Sequence, residues 1–268
     1  MATTGLYQSV EDALMETDPG RKCDSVAKLF RRWNQSELPL DRKLPILAFD
    51  QPGKPDLPRL TEPRKLGRRT TSNERGRAIL LHAFTHIEFN AINIALDAVY
   101  RYRNMPVQYT SDWLSVASDE ARHFSLLSQD LIKRGSFYGE FDAHGGLWDM
   151  VCRTRHDVLH RMALVPRVME ARGLDVSPAI IDRFKQVGDQ NAVDILEVIY
   201  RDEIGHVRIG NHWFHYLCEL RELDSASTFR SLIDEYLKGK LRGPFNWPAR
   251  LEAGFEESEL KALERSFN

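Results

Sequence analysis

The sequence contains two copies of the pattern Asp-Glu-x-x-His, Asp119-Glu120-Ala121-Arg122-His123 and Asp202-Glu203-Ile204-Gly205-His206. A glutamate and a histidine three residues apart lie on one face of a helix, so each copy can offer a carboxylate and an imidazole to one metal ion. A single copy arises easily by chance as a solvated or hydrogen-bonded surface pair. The recurrence of the pattern, both times among apolar neighbours, favours a metal site.

Two further glutamates complete the predicted ligand set. Glu88 and Glu170 precede Glu120 and Glu203 by nearly equal intervals along the chain. Four-helix bundles that bind two metal ions take Glu-x-x-His from two helices and a single glutamate from each of the other two. The sequence therefore predicts a two-metal centre with the ligands Glu88, Glu120, His123, Glu170, Glu203 and His206.

The spacing of apolar residues predicts an all-α protein. We expect helices at residues 9–17, 19–33, 71–103, 111–134, 147–172, 189–220 and 224–240, with a proline-rich extended strap at 37–69. The turn at Asn104-Met105-Pro106 lies midway between Glu88 and Glu120, so an antiparallel hairpin would bring both to the same depth.

The segment around Glu170 is harder to place by counting. The connection at 135–146 is short, so we predict a bend within residues 147–167, with Pro166 as a candidate for its position. Gly173 is expected to end this helix, and Ser177-Pro178 to begin a short separate one.

We expect one compact domain with three parts: N-terminal helices and strap at 1–70, the four-helix bundle at 71–222, and a C-terminal helical extension at 223–268. The net charge of −2 gives no general reason to expect nucleic acid or an anionic membrane. The start of the chain does not resemble a signal peptide, and no apolar run appears long enough to span a bilayer. The three cysteines, Cys23, Cys152 and Cys218, are widely spaced, which favours reduced thiols in a cytoplasmic protein.

A local basic run could still contact nucleic acid or a phosphate-bearing substrate. It comprises Arg64, Lys65, Arg68, Arg69, Arg75 and Arg77, interrupted only by Glu74. The alternative, a solvated arm leading into a helix, is the commoner meaning of such a run.

Several other polar residues have competing interpretations. His82, His86, His156 and His160 occur as i, i+4 pairs, and we expect hydrogen-bonded core roles rather than metal ligation. Asp119 is predicted to orient His206 and Asp202 to orient His123, as carboxylates beside metal-bound histidines do. The alternative, for either one singly, is an exposed helix aspartate. Asn246 and Arg250, in and after the aromatic loop 243–248, could hold a polar substrate group or cap a helix.

The predicted ligands, together with Asp119 and Asp202, resemble those of ferritin-like non-haem di-iron proteins. Further stretches resemble an uncharacterised bacterial ferritin-like domain-of-unknown-function family over about residues 70–260: Leu147-Trp148, Val165-Pro166-x4-Ala171-Arg172-Gly173-Leu174-Asp175 and Gly243-Pro244-Phe245-Asn246-x3-Arg250-x3-Gly254-Phe255. A more distant similarity is to the tRNA-modifying di-iron hydroxylases.

This resemblance implies a ferritin-like four-helix bundle with extra N- and C-terminal helices. It also implies the metal site, but it supplies no substrate. From the chemistry of the six ligands we expect two iron ions, with manganese or a mixed pair as alternatives, and an O2-dependent oxidoreductase of the hydroxylase or monooxygenase type. Its substrate would be a small organic molecule, with a modified nucleoside or tRNA among the candidates, and its electrons would come from an external donor. The alternatives are a ferroxidase or iron-handling protein and a non-catalytic metal-binding bundle; the oligomeric state stays open.

Overall fold

The computed structural model describes residues 4–47, 49–66, 69–238, 241 and 243–265. These residues form helices joined by irregular segments, and their β-type pairing is limited to an isolated bridge between Leu60 and Ala143. The all-α prediction is confirmed. The chain forms two compact units, Met1–Asp149 and Met150–Asn268. The domain boundaries predicted at residues 70 and 222 stay predictions.

The first unit begins with α1 (Leu6–Met15) and α2 (Pro19–Asn34). Helix α2 starts where predicted, because the Asp18 carboxylate accepts a hydrogen bond from the Arg21 amide and Pro19 occupies the first helical position. Helix α1 begins three residues earlier than predicted. Its first amides, those of Tyr7 and Gln8, donate to the carboxylate of Asp41 at 2.6 and 3.1 Å, so its cap comes from a distant residue.

The strap at 37–69 is irregular as predicted, apart from one 3-10 turn at Pro63–Lys65. Ala48, Gly67 and Arg68 lie outside the described residues. The strap is tied down at separate points: the Gly53 amide donates to the Leu14 carbonyl (3.0 Å), the Asp50 carbonyl accepts from the Trp148 indole (2.8 Å), and the Thr61 amide donates to the Ala143 carbonyl (2.8 Å). These hydrogen bonds replace those that a helix or sheet would supply.

Helices α3 (Glu74–Arg101) and α4 (Val107–Lys133) pack together as the predicted hairpin. The Asn73 side chain caps α3 by accepting from the Gly76 amide at 2.8 Å. Helix α4 begins four residues earlier than predicted, immediately after Pro106, because a proline is tolerated before the first turn.

Helix α3 meets the length and hydropathy expected of a membrane span, with a mean hydropathy of 1.3 over its most apolar window. The expectation that no apolar stretch is long enough is therefore wrong for α3. Within the protein, however, 78% of that window is buried, and Asn93 and Asp97 are among the buried residues. Burial against other helices is the ordinary fate of a core helix, so this observation is weak evidence for a membrane.

The predicted helix at 147–172 is wrong as a single element, whereas its predicted bend is confirmed. The segment divides into α5 (Gly146–Thr154), which contains the boundary between the units, α6 (Val158–Leu164) and a π-helical turn at Val165–Glu170. Pro166 lies in this turn, where it cannot donate a backbone hydrogen bond. A Cβ added at Gly210 would lie 2.2 Å from the Pro166 Cβ. Only glycine therefore allows the helix that carries residue 210 to pack this closely against the π-helical turn.

The next helix, α7 (Ala171–Gln186), runs through Pro178, so the predicted break between Gly173 and Ser177 is wrong. Pro178 removes the amide that would bond the Leu174 carbonyl. The Asn246 side chain donates to that carbonyl at 3.0 Å, and Arg250 forms a buried ion pair with Asp175 at 2.8 Å. Contacts from far along the chain therefore compensate for the proline.

Helix α8 (Gln190–Leu220) agrees with its prediction and is capped by Asp189. It is followed by α9 (Ser225–Leu237), α10 (Trp247–Glu252) and α11 (Glu257–Arg265). Gly239 and Lys240, where α9 was predicted to end, lie outside the described residues. The core of this unit includes the fully buried guanidinium of Arg167, which lies over three phenylalanine rings and pairs with Glu259 at 2.6 Å.

Candidate metal centre

The α3–α4 hairpin brings Glu88, Glu120 and His123 together, and we call these three residues the first ligand group. The Nδ1 atom of His123 lies 3.2 Å from Glu88 Oε2 and 3.1 Å from Glu120 Oε2. All three side chains are at least 98% buried. Glu120 and His123 share a face of α4 because they are three residues apart, and the turn between the helices places Glu88 opposite them.

This group is electrostatically costly unless a positive charge is present. Burial and the neighbouring charge of Glu120 raise the pKa of Glu88 well above its usual range. Burial acts to lower the pKa of His123, but its hydrogen bonds to Glu120 and Glu88 outweigh that effect and raise the pKa to about 11. The imidazolium thus supplies the positive charge that two adjacent buried carboxylates require.

The same donor set suits a metal ion. One atom from each of Glu88, Glu120 and His123 lies within 4.8 Å of the others, and these residues could together hold a cation. Carboxylate oxygens and an imidazole nitrogen are ligands that iron, manganese and zinc accept. A divalent ion would neutralise both carboxylates and take the neutral ring as a ligand.

The second unit carries Glu170, Glu203 and His206, the second ligand group. On α8, Glu203 Oε1 lies 3.7 Å from His206 Nδ1, and both side chains are largely shielded, with exposures of 14% and 4%. Glu170 is half-buried and is the last residue of the π-helical turn. The assignment of all six residues as ligands of one centre stays a prediction.

The two aspartates that precede the glutamates have arginine neighbours that the sequence argument missed. Asp119 accepts from Arg122 at 3.1 Å, and Asp202 from Arg201 at 3.2 Å. Their side chains are 37% and 18% exposed. The predicted pairing of Asp119 with His206 and of Asp202 with His123 stays a prediction.

An aromatic cluster that includes the residues following Glu88 and His123 in the sequence was also missed. Phe89 follows Glu88, Phe124 follows His123, and their ring centres are 5.7 Å apart. Tyr138 packs on both, at 5.6 and 5.1 Å. The positions of Phe89 and Phe124 beside the motifs were the available signal, whereas Tyr138 comes from a loop that no periodicity marks.

The four histidines of the i, i+4 pairs form hydrogen bonds, as expected, but His156 is exposed rather than in the core. His82 Nε2 accepts from the Gly139 amide at 2.9 Å, and His86 Nδ1 accepts from the Tyr138 hydroxyl at 3.0 Å. His156 and His160 both contact the hydroxyl of Tyr236.

The basic run is partly neutralised within the chain. Glu62 forms ion pairs with Arg64 and Lys65 at 2.6 and 3.4 Å, while Arg68 lies outside the described residues. Asn246 and Arg250 are engaged by the helix contacts described above, which favours their structural interpretation over substrate binding.

The described residues thus define an all-α protein with a buried carboxylate–imidazole group that could hold a metal ion. The chain belongs to the family described as "Protein of unknown function (DUF455)", whose model matches residues 15–261. It is 42% identical over 271 residues to a protein of Haemophilus influenzae described as "Uncharacterized protein", with 96% of this chain and 93% of that protein covered. No solved structure matches.

Proposed function

We propose that the protein is an O2-dependent di-iron oxidoreductase of the hydroxylase or monooxygenase type. The observation that carries this proposal is the buried first ligand group, in which two carboxylates lie within 3.2 Å of one imidazole nitrogen. The same pair of residue types recurs as Glu203 and His206 on α8, with Glu170 in the preceding segment. We infer that the two groups share one centre.

The donor set favours oxidation chemistry over hydrolysis. Four carboxylates balance the four positive charges of two ferrous ions, so the reduced centre would be neutral. Two iron ions, when bound, would supply the activation of dioxygen, which enters as a co-substrate, and an external donor would supply electrons.

The chain's own residues would perform the other tasks. Glu88, Glu120 and His123 hold their positions on two regular helices, which fixes the ligand geometry in advance. The burial of all three side chains keeps bulk water from the group. We place the protein in the cytoplasm, a proposal supported by the absence of disulfides between its three cysteines.

The test is metal content after anaerobic purification, with Glu120→Gln and Glu203→Gln as variants. We expect about two irons per chain, lost in both variants, and an absorption band that develops when oxygen is admitted to the reduced protein. The control is Asp130→Asn, which alters a buried carboxylate of α4 that pairs with Arg134 rather than with the ligand group. It should keep its metal.

The outcomes separate the alternatives. Wild-type protein without stoichiometric metal would refute the proposal. Iron that oxidises and accumulates beyond two per chain would favour an iron-handling protein, and bound metal that consumes no oxygen under reductant would favour a non-catalytic bundle.

A further inference from the structure

A second candidate site lies in the first unit, under the strap. It is an open pocket, and its empty volume of about 490 Å³ includes solvent at its mouth. Its floor is formed by His86, Phe89, Asn90 and Asn93 of α3. An α-helix turns by 100° per residue, so the mean direction of these four side chains lies about 150° around the α3 axis from that of Glu88. The pocket therefore opens on the opposite face of α3 from the first ligand group.

The pocket is held by fixed structure on both sides. The strap residues over it, 51–60, are anchored within this stretch by the Gly53 amide and just after it by the pairing of Thr61 with Ala143. The Trp148 indole donates to Asp50 at 2.8 Å, which fixes that ring in the wall. The Tyr138 hydroxyl donates to His86, whose Nε2–H donates to the His144 carbonyl at 3.3 Å, which fixes the opposite wall. A site whose side chains are already ordered loses little entropy on binding.

The lining combines flat rings with a polar edge. Phe89, Tyr138 and Trp148 offer aromatic surfaces. The Asn90 side chain donates to the His86 carbonyl at 2.7 Å, which leaves its amide oxygen as an acceptor for a ligand N–H. A buried amide beside aromatic walls suits a planar heterocycle better than an aliphatic molecule.

A cation lies at the same pocket. Lys54 is half-buried, and its charge acts on His86. Among the described residues, Lys54 makes no ion pair within the protein. Arg69 lines a neighbouring pocket that shares His86. A ligand with a ring in the first pocket and an anionic group beside it would satisfy both features.

We propose that this pocket binds a nucleoside monophosphate, with its base against Phe89, Tyr138 and Trp148 and its phosphate at Lys54. The site is separate from the proposed metal centre and does not depend on it.

The experiment is titration calorimetry of the full chain with the four ribonucleoside 5′-monophosphates, the matching nucleosides, ribose 5-phosphate and indole. At least one nucleotide should bind with one-to-one stoichiometry and more tightly than its nucleoside, while ribose 5-phosphate alone should not bind. Lys54→Ala should weaken that nucleotide by about tenfold, since it removes one charge-assisted contact. The nucleoside should be unaffected.

Two variants locate the site. Leu60→Trp fills the pocket from an exposed rim position and should weaken both nucleotide and nucleoside by at least about tenfold, since one stacked base contributes that much. Asn90→Leu removes the polar edge and is the second test if Leu60→Trp does not fold by circular dichroism. Lys43→Ala, an exposed lysine of the same strap outside the pocket, is the matched control and should bind like the wild type.

Three results would each overturn the proposal. No nucleotide binds, or nucleotide binding is unchanged by Lys54→Ala and Leu60→Trp, or indole binds as tightly as the nucleotide. The Glu120→Gln variant should lose metal but bind nucleotide like the wild type. Failure of the nucleotide proposal can therefore be distinguished from failure of the metal proposal.

Discussion

The two ligand groups differ in the backbone that carries them. The first group lies on α3 and α4, regular helices joined by a short turn, and its three side chains are at least 98% buried. The second group combines regular α8 with Glu170, which ends a π-helical turn and is half-buried. Regular helices fix ligands by residue spacing alone. A π turn changes the direction in which a side chain points, and the turn is stable only when neighbouring residues pack against it.

Metal binding gives the largest test of this difference. Ferrous ion at about 1,000 times its dissociation constant should stabilise the wild type against unfolding by about 4 kcal/mol relative to chelated protein. Glu120→Gln should remove nearly all of that gain, whereas Glu170→Gln should keep a measurable part. Anaerobic denaturant titration measures both, and equal losses would contradict the distinction between the groups.

Packing around the π turn gives the next effect. Gly210→Ala places a methyl group against Pro166 and should lower the free energy of unfolding by about 3 kcal/mol through overpacking. Gly205→Ala is the matched control on the same helix, because its added Cβ would meet nothing within 4 Å. That variant should be neutral or stabilised by up to about 1 kcal/mol. Similar unfolding midpoints for the two variants would show that the close approach at Gly210 is not required.

The cost of Pro178 can be measured by a double-mutant cycle. Asn246→Ala should destabilise the second unit by about 2 kcal/mol, because it removes the cap of α10 and the donor to the Leu174 carbonyl. Pro178→Ala restores an amide to that carbonyl, so the same Asn246→Ala change should then cost about 1 kcal/mol. Additive effects in urea unfolding would refute the compensation.

The smallest effect concerns acid stability of the first unit. Burial lowers the pKa of His82 to about 4, with Glu140 opposing and Arg69 reinforcing the shift. Below pH 6.5 the His82 imidazole takes up a proton in the unfolded chain, whereas in the folded chain it stays neutral until about pH 4. The contribution of His82 to the free energy of unfolding is therefore fully present above pH 6.5. This contribution falls as the pH drops from 6.5 toward 4. His82→Gln, which keeps an acceptor for Gly139, should flatten this slope by about one proton; an unchanged slope from urea titrations at several pH values would contradict it.

Local signals predicted much of the fold. The turn at Asn104-Met105-Pro106 and the helical spacing of apolar residues predicted the α3–α4 hairpin, and counting placed Glu88 beside Glu120. The predicted starts of α2 and α8 agree with the structure to within one residue, and Asp18 and Asp189 cap them. These features depend on residues within a few positions of one another, so one sequence contains them.

The errors arose where distant residues complete a local structure. Helix α1 starts early because Asp41 caps it, and α7 continues through Pro178 because Asn246 bonds the exposed carbonyl. Tyr138 reaches the aromatic rings from a loop. No rule based on spacing or propensity can identify such partners, since their position is known only after folding.

The anchoring of the strap has a consequence for synthesis on the ribosome. Asp50 emerges early, yet its partner Trp148 follows 98 residues later, and Thr61 waits for Ala143. The strap therefore stays without these bonds while the α3–α4 hairpin, made of local contacts, can already form. The strap is thus translated before α3 and α4 but completes these bonds after them, and it is accessible to chaperones or proteases during that interval.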